Sequence, residues 1–281
     1  MELLMNSRIM LLTALTLTVA SCETPVELVP EPADLRFEQS REWTDKKSFN
    51  EITVQSDDYS VLFLADSHSG TTQNLESVFS IATSTGVSAV CIAGDLTDGD
   101  EKDYQVFAEA LPGEDELPVF VTPGNHDLWS SRGWNEFYSW FGPSSYYFTI
   151  QTPDATDMYI ALDSGSGTLG GEQLEWLENI LKDKRSDCRR CIVFTHNNFL
   201  RFRHSLISNP LVEELNVLIN LFTVYHVDML IAGHDHEHDA VMFGVTNYLI
   251  VGAISDNDPE ACYLEVGINK GNLSYEFREM N

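Results

Sequence analysis

Residues 117–127 read LPVFVTPGNHD, and this stretch decides the fold that the sequence predicts. Its first six residues are mostly apolar without a polar alternation, which predicts a buried strand. Gly124 then allows a sharp turn of the backbone, and Asn125, His126 and Asp127 follow it. Those side chains can ligate a metal ion or move a proton, but the same residue types also form ordinary turns. The tetrad by itself leaves both interpretations open.

Four other short apolar runs end in the same kind of residue, and each resembles a strand buried on both faces. In open α/β sheets, ligands bind at the carboxyl edge of the strands. Five loops that bring Asp, His and Asn side chains to one edge therefore predict a functional site rather than unrelated turns. The four runs are Val61–Leu64 before Asp66 and His68, Ala89–Ile92 before Gly94, Asp95 and Asp98, Cys191–Phe194 before His196, and Met229–Ile231 before Gly233, His234 and His236.

The donor types indicate which ions such a site would bind. Carboxylate, imidazole and amide oxygen ligands together suit zinc, manganese or iron. The set is too large for one tetrahedral ion, whereas two ions that share a bridging carboxylate would use all of it. Paired ions about 3.5–4 Å apart are a common device for displacement at phosphorus. We therefore expect two divalent or mixed-valence ions of Mn, Fe or Zn, whose identity the sequence leaves open.

In their order and spacing, these five blocks resemble the calcineurin-like metallophosphoesterase family, from about residue 60 to the C-terminus. The resemblance implies an α/β fold in which two mixed β-sheets pack as a sandwich flanked by helices. It also implies hydrolysis of a phosphoester by a hydroxide held between the two ions. His126 would act as general acid, and Asp98 would orient it. For the metal ligands the resemblance implies Asp66, His68 and His236 on the first ion, Asn125, His196 and His234 on the second, and Asp95 bridging both.

Two departures from family patterns bear on the substrate. The chain has no Tyr near Asp98, where purple acid phosphatases carry a Tyr ligand, so a tyrosinate-bound ferric site is not expected. Asn197 stands where many cyclic-nucleotide-cleaving relatives have a second His, which disfavours such a substrate without excluding it. We expect a phosphodiesterase acting on a small substrate. The alternatives are a phosphomonoesterase and a catalytically inactive, ligand-binding lipoprotein.

The strong negative charge of the chain limits the kinds of molecule that it is expected to bind. A net charge of -28 repels nucleic acid and anionic membranes, so a polynucleotide substrate is not expected. Arg201, Arg203 and His204 form a small positive island shortly after His196. This loop could bind a substrate phosphate or an acidic head group, or it could be an ordinary solvated loop.

The N-terminus resembles an export signal. Residues 1–21 combine Arg8 with the apolar run Ile9–Ala20, which is too short to span a bilayer, where about 20 residues are needed. The sequence up to Cys22 resembles a bacterial lipobox, so Cys22 would carry the lipid; the alternative is an ordinary cleavage site with a chance Cys. Because Glu23 is not Asp, we expect a lipoprotein of the outer membrane of a Gram-negative bacterium, on either face.

The remaining chain divides into a tether and one domain. Residues 22–50 are rich in Pro and Glu and predict a tether from the membrane, whose later part around Trp43 could pack on the domain. Residues 51–281 predict one catalytic domain, in which strands and helices alternate at the front. Asn247–Val251, Cys262–Val266 and Ser274–Arg278 have no helices between them and predict an antiparallel part of a second sheet.

Two further groups of residues remain ambiguous in the sequence. An aromatic segment from Trp129 to Tyr147 could form the floor of a substrate pocket, but we favour a helix packed on the sheet, with Trp129 as the exception. Cys188 and Cys191 have the spacing of a redox or zinc motif without a second pair, and a local disulfide is conceivable. We favour a structural role for them.

Overall fold

A computed structural model describes residues 31–46, 51–113, 115–200 and 212–280. None of the helices in these ranges is long and apolar enough to cross a membrane. The strands are β1 (Glu51–Thr53), β2 (Tyr59–Leu64), β3 (Ala89–Ala93), β4 (Val119–Thr122), β5 (Tyr146–Gln151), β6 (Thr156–Ala161), β7 (Arg190–Phe194), β8 (Met229–Ala232), β9 (Asp239–Phe243), β10 (Thr246–Ile250), β11 (Cys262–Asn269) and β12 (Asn272–Glu279). The helices are α1 (Ala33–Lys46), α2 (Gln73–Thr85), α3 (Glu101–Ala110), α4 (Asn125–Leu128), α5 (Gly133–Phe141), α6 (Gly170–Lys184) and α7 (Val212–Val224).

The strands form two mixed sheets, as the sequence predicts. One sheet has the order β12-β11-β2-β3-β4, and β2, β3 and β4 are parallel in it. The other has the order β1-β5-β6-β7-β8-β10-β9, with β6, β7, β8 and β10 parallel. The chain therefore has the expected α/β fold, with helices following most of the parallel strands.

The strand sequences are apolar without polar alternation because both faces of these strands are covered. All five residues of β3 are buried, as expected of a strand in the middle of a parallel sheet. One face of β2 and β3 packs against the second sheet, where the rings of Phe63 and Phe194 lie 6.0 Å apart. The opposite face packs against α2, α3 and α5, and a third apolar cluster joins α6 and α7 to the second sheet. The layers are therefore helix, sheet, sheet and helix.

The C-terminal strands correct one prediction. The three tail segments were expected to form an antiparallel part of the second sheet. Instead β11 and β12 extend the first sheet, where β11 is antiparallel to β2 and Val266 pairs with Val61. Only β10 joins the second sheet, in parallel with β8. The tail thus supplies the outer strands of the sheet that carries the first three loops of the site.

Ordered structure begins before Glu51, where the sequence analysis placed the start of the domain. Helix α1 lies within the predicted tether, whose later part the sequence analysis allowed to pack on the domain, and it packs there as a helix. Arg36 of this helix is fully buried and forms an ion pair with Asp163, and the ring of Phe37 lies 5.7 Å from that of Trp176. Within the predicted tether, residues 33–46 therefore belong to the folded body.

The aromatic and cysteine residues have mainly structural roles. In α5, Trp134 and Phe137 are buried, which confirms helix packing for this part of the aromatic segment. Cys188 and Cys191 are free thiols, so the conceivable disulfide between them is not formed. Burial raises the pKa of the Cys191 thiol to about 12, which makes it a poor nucleophile near neutral pH.

Candidate metal centre

Five loops at the carboxyl ends of β2, β3, β4, β7 and β8 bring the predicted site residues together. Neighbouring loops of each sheet are bonded directly to one another. The amide of Asp66 donates to the carbonyl of Gly94 at 3.0 Å, and the amide of Gly233 donates to the carbonyl of His196 at 3.0 Å. The predicted convergence is therefore present, even though the loops come from residues 65 to 236 of the chain.

The backbone is strained at the predicted ligands. Only seven non-glycine residues in the described ranges have positive φ, and five of them are predicted metal ligands. This conformation is uncommon outside glycine and clusters at functional sites. The strain is therefore concentrated where the ligands must be aimed. The five are Asp66 at 55°, His68 at 42°, Asp95 at 50°, His234 at 73° and His236 at 58°.

One cluster consists of Asp66, His68 and His236. Their donor atoms lie within 4.8 Å of one another. The Nε2 atoms of His68 and His236 are 3.3 Å apart, and Asp66 Oδ1 is 3.5 Å from His236 Nε2. Asp66 is fully buried, its Oδ2 accepts a hydrogen bond from the His234 amide, and its Oδ1 has no hydrogen-bond partner. A buried carboxylate oxygen facing two imidazole nitrogens is the arrangement that a cation would satisfy.

A second cluster surrounds His196, which is fully buried. Its Nε2 lies 3.1 Å from Asn125 Oδ1, 3.1 Å from His234 Nδ1 and 3.3 Å from Asp95 Oδ2. Its Nδ1 lies 2.9 Å from the carbonyl of Ala93, to which it donates. With Nδ1 donating, the neutral imidazole carries its lone pair on Nε2, as in most metal-binding histidines. All four side chains predicted around the second ion therefore converge on one point.

Asp95 lies between the two clusters. Its Oδ2 is 3.3 Å from His196 Nε2 and 3.8 Å from His68 Nε2. Its Oδ1 accepts the amide of His126 at 2.8 Å, which holds the carboxylate in place. A Cβ on Gly124 would lie 2.1 Å from Asp95 Oδ1, so only glycine permits this approach. The position is the one that the resemblance implies for a bridging ligand.

The charges of the second cluster compensate each other. Burial opposes ionisation of Asp95, but His196 and the neighbouring imidazoles outweigh it and hold the pKa of Asp95 well below its usual value. Burial likewise opposes protonation of His196, but the Asp95 carboxylate outweighs it and raises the pKa of His196 to about 9. Each group therefore favours the charged form of the other.

Asp98 contacts two histidines rather than one. Its Oδ1 lies 2.9 Å from His68 Nδ1 and 3.2 Å from His126 Nδ1. The second contact lacks hydrogen-bond alignment, so it is a charge contact rather than a hydrogen bond. Asp98 is therefore hydrogen-bonded to the predicted ligand His68 and lies beside the predicted acid His126 without a hydrogen bond to it. Donor atoms of His126, His68 and Asp95 also lie within 4.8 Å of one another, so distance alone does not separate an acid from a ligand.

Asp127 has a role that the sequence did not reveal. It is fully buried, and its carboxylate accepts backbone hydrogen bonds from Gly124 at 2.9 Å and from Leu96 and Thr97 at 3.1 Å each. Burial and the charge of Asp95 raise its pKa to about 7. The residue joins the loops after β3 and β4, and it was visible in the sequence only as the last member of the tetrad.

A cavity of about 420 Å³ opens beside the clusters and is lined partly by His234 and His236. The cavity therefore adjoins two of the predicted ligands. Its other walls carry several carboxylates, including Asp258 and Glu260, which no motif indicated. The full lining is His234, Asp235, His236, Glu237, Asp258, Pro259 and Glu260. The predicted substrate residues Arg201, Arg203 and His204 lie outside the described residues, as does Cys22.

The family of the chain follows from its sequence as well as its site. Residues 59–238, more than half of the chain, match the family model of the calcineurin-like phosphoesterases. The protein therefore belongs to this family of metallophosphoesterases. No curated protein matches the sequence.

Several solved structures share the fold at low sequence identity. A dimetal phosphatase from Danio rerio has a TM-score of 0.61 and 13% identity, covering 79% of this chain and 96% of that one. GAP50, the anchor in the inner membrane complex of Plasmodium, has a TM-score of 0.60 and 13% identity, covering 80% and 89%. Purple acid phosphatase PPD1 from yellow lupin has a TM-score of 0.60 and 16% identity, covering 80% and 52%. Because one of these proteins is described as an anchor, the shared fold does not by itself establish that this chain is an enzyme.

Proposed function

We propose that this protein hydrolyses small phosphodiesters with the help of two bound divalent ions. The observation that carries the proposal is the convergence of nine predicted site residues from five loops, in overlapping clusters with Asp95 between them. Positive φ at five of these residues is local backbone strain of the kind that clusters at functional sites. The retained strain favours a working site over a disused one.

The donor set fits two ions. His196 directs Nε2 toward the second cluster because its Nδ1 is occupied by the Ala93 carbonyl, and Asp66 offers an oxygen without a partner to the first. When bound, such ions lower the pKa of a water and stabilise negative charge on phosphoryl oxygens. We assign Asp66, His68 and His236 to one ion, Asn125, His196 and His234 to the other, and Asp95 to both.

His126 is proposed to donate a proton to the leaving-group oxygen. Its Nδ1 faces Asp98 at 3.2 Å, which leaves Nε2 for the substrate. Its side chain is 30% exposed, so a substrate can reach it. Asp98 would stabilise positive charge on the imidazole and, through its contact at 2.9 Å, would also fix the ring of His68. One carboxylate would then fix a ligand and stabilise the charged form of the acid.

The charge of the cavity wall favours a diester over a monoester. A phosphomonoester carries a charge of about −1.5 to −2 at pH 7, whereas a diester carries a single negative charge. Glu237, Asp258 and Glu260 would repel the additional charge of a monoester. A cavity of about 420 Å³ suits a small substrate, and the net charge of -28 opposes a polynucleotide.

The proposed location follows from the first 22 residues alone. We propose that the protein is exported and anchored in the outer membrane through a lipid on Cys22, because the preceding residues resemble a lipobox. The acidic surface opposes direct adsorption to an anionic bilayer, so the lipid would provide the attachment. Substrate would then be taken from the envelope or the surroundings rather than from the cytoplasm.

Hydrolysis of bis-p-nitrophenyl phosphate compared with p-nitrophenyl phosphate tests the function. The purified chain is loaded with manganese, and a chelated sample serves as control. We expect faster hydrolysis of the diester and loss of activity on chelation. Asp95→Asn should be inactive, whereas Asp239→Asn, at an exposed aspartate of β9, should match the wild type. Preference for the monoester would overturn the phosphodiesterase proposal in favour of a phosphomonoesterase. A chain that binds no metal and hydrolyses neither ester would refute the proposed phosphoesterase function.

A further inference from the structure

Trp129 is exposed but held firmly beside the predicted acid. It follows α4, three residues after His126, and its side chain is 55% exposed. Its indole Nε1 donates a hydrogen bond to the carbonyl of Asp98 at 3.1 Å. Gly99 makes this possible, because a Cβ there would lie 2.7 Å from the His126 carbonyl and 3.3 Å from the indole nitrogen. A large apolar ring is thus fixed at the surface without being buried.

The indole covers the imidazole of His126. The two ring centroids are 4.4 Å apart and the ring planes are inclined at 35°. The ring of His68 approaches His126 from another direction, at 4.7 Å and nearly perpendicular. Asp98 lies near the Nδ1 edge at 3.2 Å. The imidazole is therefore enclosed on three sides, and Trp129 is the enclosing residue that is neither a predicted ligand nor a charged group.

The packing of Trp129 on His126 supplies an orientation that the contact between Asp98 and His126 does not. The two atoms are close, but they are not aligned as a hydrogen bond, so Asp98 alone does not fix the imidazole plane. An aromatic ring packed at this tilt against the imidazole restricts its rotation and covers part of one of its faces. Since the indole is itself bonded to the backbone of Asp98, it links the orientation of His126 to the residue that should polarise it.

We propose that Trp129 is a positioning residue for the general acid His126, holding the imidazole in the orientation that protonates the leaving group. This proposal rests on the proposed phosphoesterase function. Its effect should be largest for poor leaving groups, because these depend most on proton donation. Misplacing a catalytic group by about 1 Å can cost on the order of 100-fold in rate.

Kinetics on a series of methyl aryl phosphodiesters, from p-nitrophenol to phenol as leaving group, tests the proposal. We expect Trp129→Ala to reduce kcat about 10- to 100-fold for the phenyl ester and less than about threefold for the nitrophenyl ester. Trp129→Phe keeps a stacking ring but lacks the N–H donor, so its loss should be smaller. Trp140→Ala removes another exposed tryptophan, 44% exposed on α5, and should have no effect. Equal losses of Trp129→Ala on all esters would overturn the proposal.

A double-mutant cycle separates positioning from other roles. If Trp129 acts through His126, the Trp129→Ala substitution should cost nothing further in a His126→Ala background. If Trp129 instead contacts the substrate independently, the two losses will multiply, and the positioning role will be wrong.

A measurement without catalysis keeps the two proposals distinguishable. In proton NMR spectra of the full chain, stacking on an indole should shift the ring protons of His126 upfield, and His126→Gln assigns them. We expect Trp129→Ala to abolish this shift and Trp140→Ala to preserve it. If wild-type protein hydrolyses no ester but shows the shift, the proposed function fails while the geometry stands. An unchanged His126 spectrum in Trp129→Ala would refute positioning whatever the activity.

Discussion

Replacing Arg36 with methionine should destabilise the domain strongly, because it leaves a buried carboxylate without its partner. The guanidinium is fully buried in α1 and donates to both oxygens of Asp163, with Nε–Oδ2 at 2.9 Å and Nη2–Oδ1 at 3.0 Å. Nη2 also donates to Ser166 at 3.1 Å. Asp163 is only 2% exposed. Without the guanidinium, its carboxylate would keep one of the hydrogen bonds seen in the described residues, from the amide of Gly165 at 3.2 Å.

The size of the effect follows from the cost of an isolated buried charge. Removing one partner of a buried ion pair costs about 3–5 kcal/mol. Methionine fills much of the volume of the arginine stem, so the additional cost of a cavity should be small. For a domain of this size, such a loss corresponds to a fall in Tm of roughly 6–20 °C. The double substitution Arg36→Met with Asp163→Asn should recover part of it, since no charge remains buried.

Urea unfolding followed by circular dichroism measures this free energy. Arg41→Met on the same helix is the control, because Arg41 is partly exposed and its pair with Asp45, at 3.3 Å, is on the surface. That change should stay within about 0.5 kcal/mol of the wild type. If Arg36→Met also unfolds within about 1 kcal/mol of the wild type, α1 is not part of the cooperative unit. The folded body would then begin near Glu51 after all.

Three further predictions concern the metal centre, the cavity and the N-terminus. Asp95→Asn should lower the metal content, measured by mass spectrometry, from two ions per chain to one or fewer, and two retained ions would contradict a bridging role. The pair Glu237→Gln and Glu260→Gln should reduce the preference for diester over monoester about threefold to tenfold, since a unit charge at about 8 Å contributes about 1 kcal/mol at an effective dielectric constant of ~40. An unchanged ratio of kcat/KM values would argue against the acidic wall. Cys22→Ser should move the protein from the membrane fraction to the soluble fraction, and persistent membrane attachment would exclude lipidation at this residue.

The site was predictable because its residues are local to strand ends. Each ligand follows a run of apolar residues within a few positions, and the edge of a parallel sheet brings such positions together. His68, His196 and Asn125 could therefore be placed without knowing any long-range contact. The same local logic placed β2, β3 and β4 close to their observed bounds.

The features that the sequence left open or missed depend on partners far along the chain. Helix α1 contains a charged residue at a buried position, and Arg36 is compatible with burial only because Asp163, 127 residues away, neutralises it. The tail strands show a similar dependence on distant residues. Strand β11 joins the first sheet by pairing with β2, where Val266 lies opposite Val61. Neither a periodicity nor a motif reports such a choice. Asp258 and Glu260 likewise enter the cavity wall through the fold, not through a pattern.

The strained backbone of the site explains why its loops are bonded to one another. Residues held in sparsely populated conformations cost on the order of 1–3 kcal/mol each and persist only when the surroundings fix them. Asp127 joins the loops after β3 and β4, and Asp66 accepts the amide of His234, which joins the loops after β2 and β8. The conformation of the predicted ligands is therefore maintained by hydrogen bonds that the chain itself supplies. Preorganisation of this kind lowers the cost of binding ions, because the ligands need little rearrangement when the ions arrive.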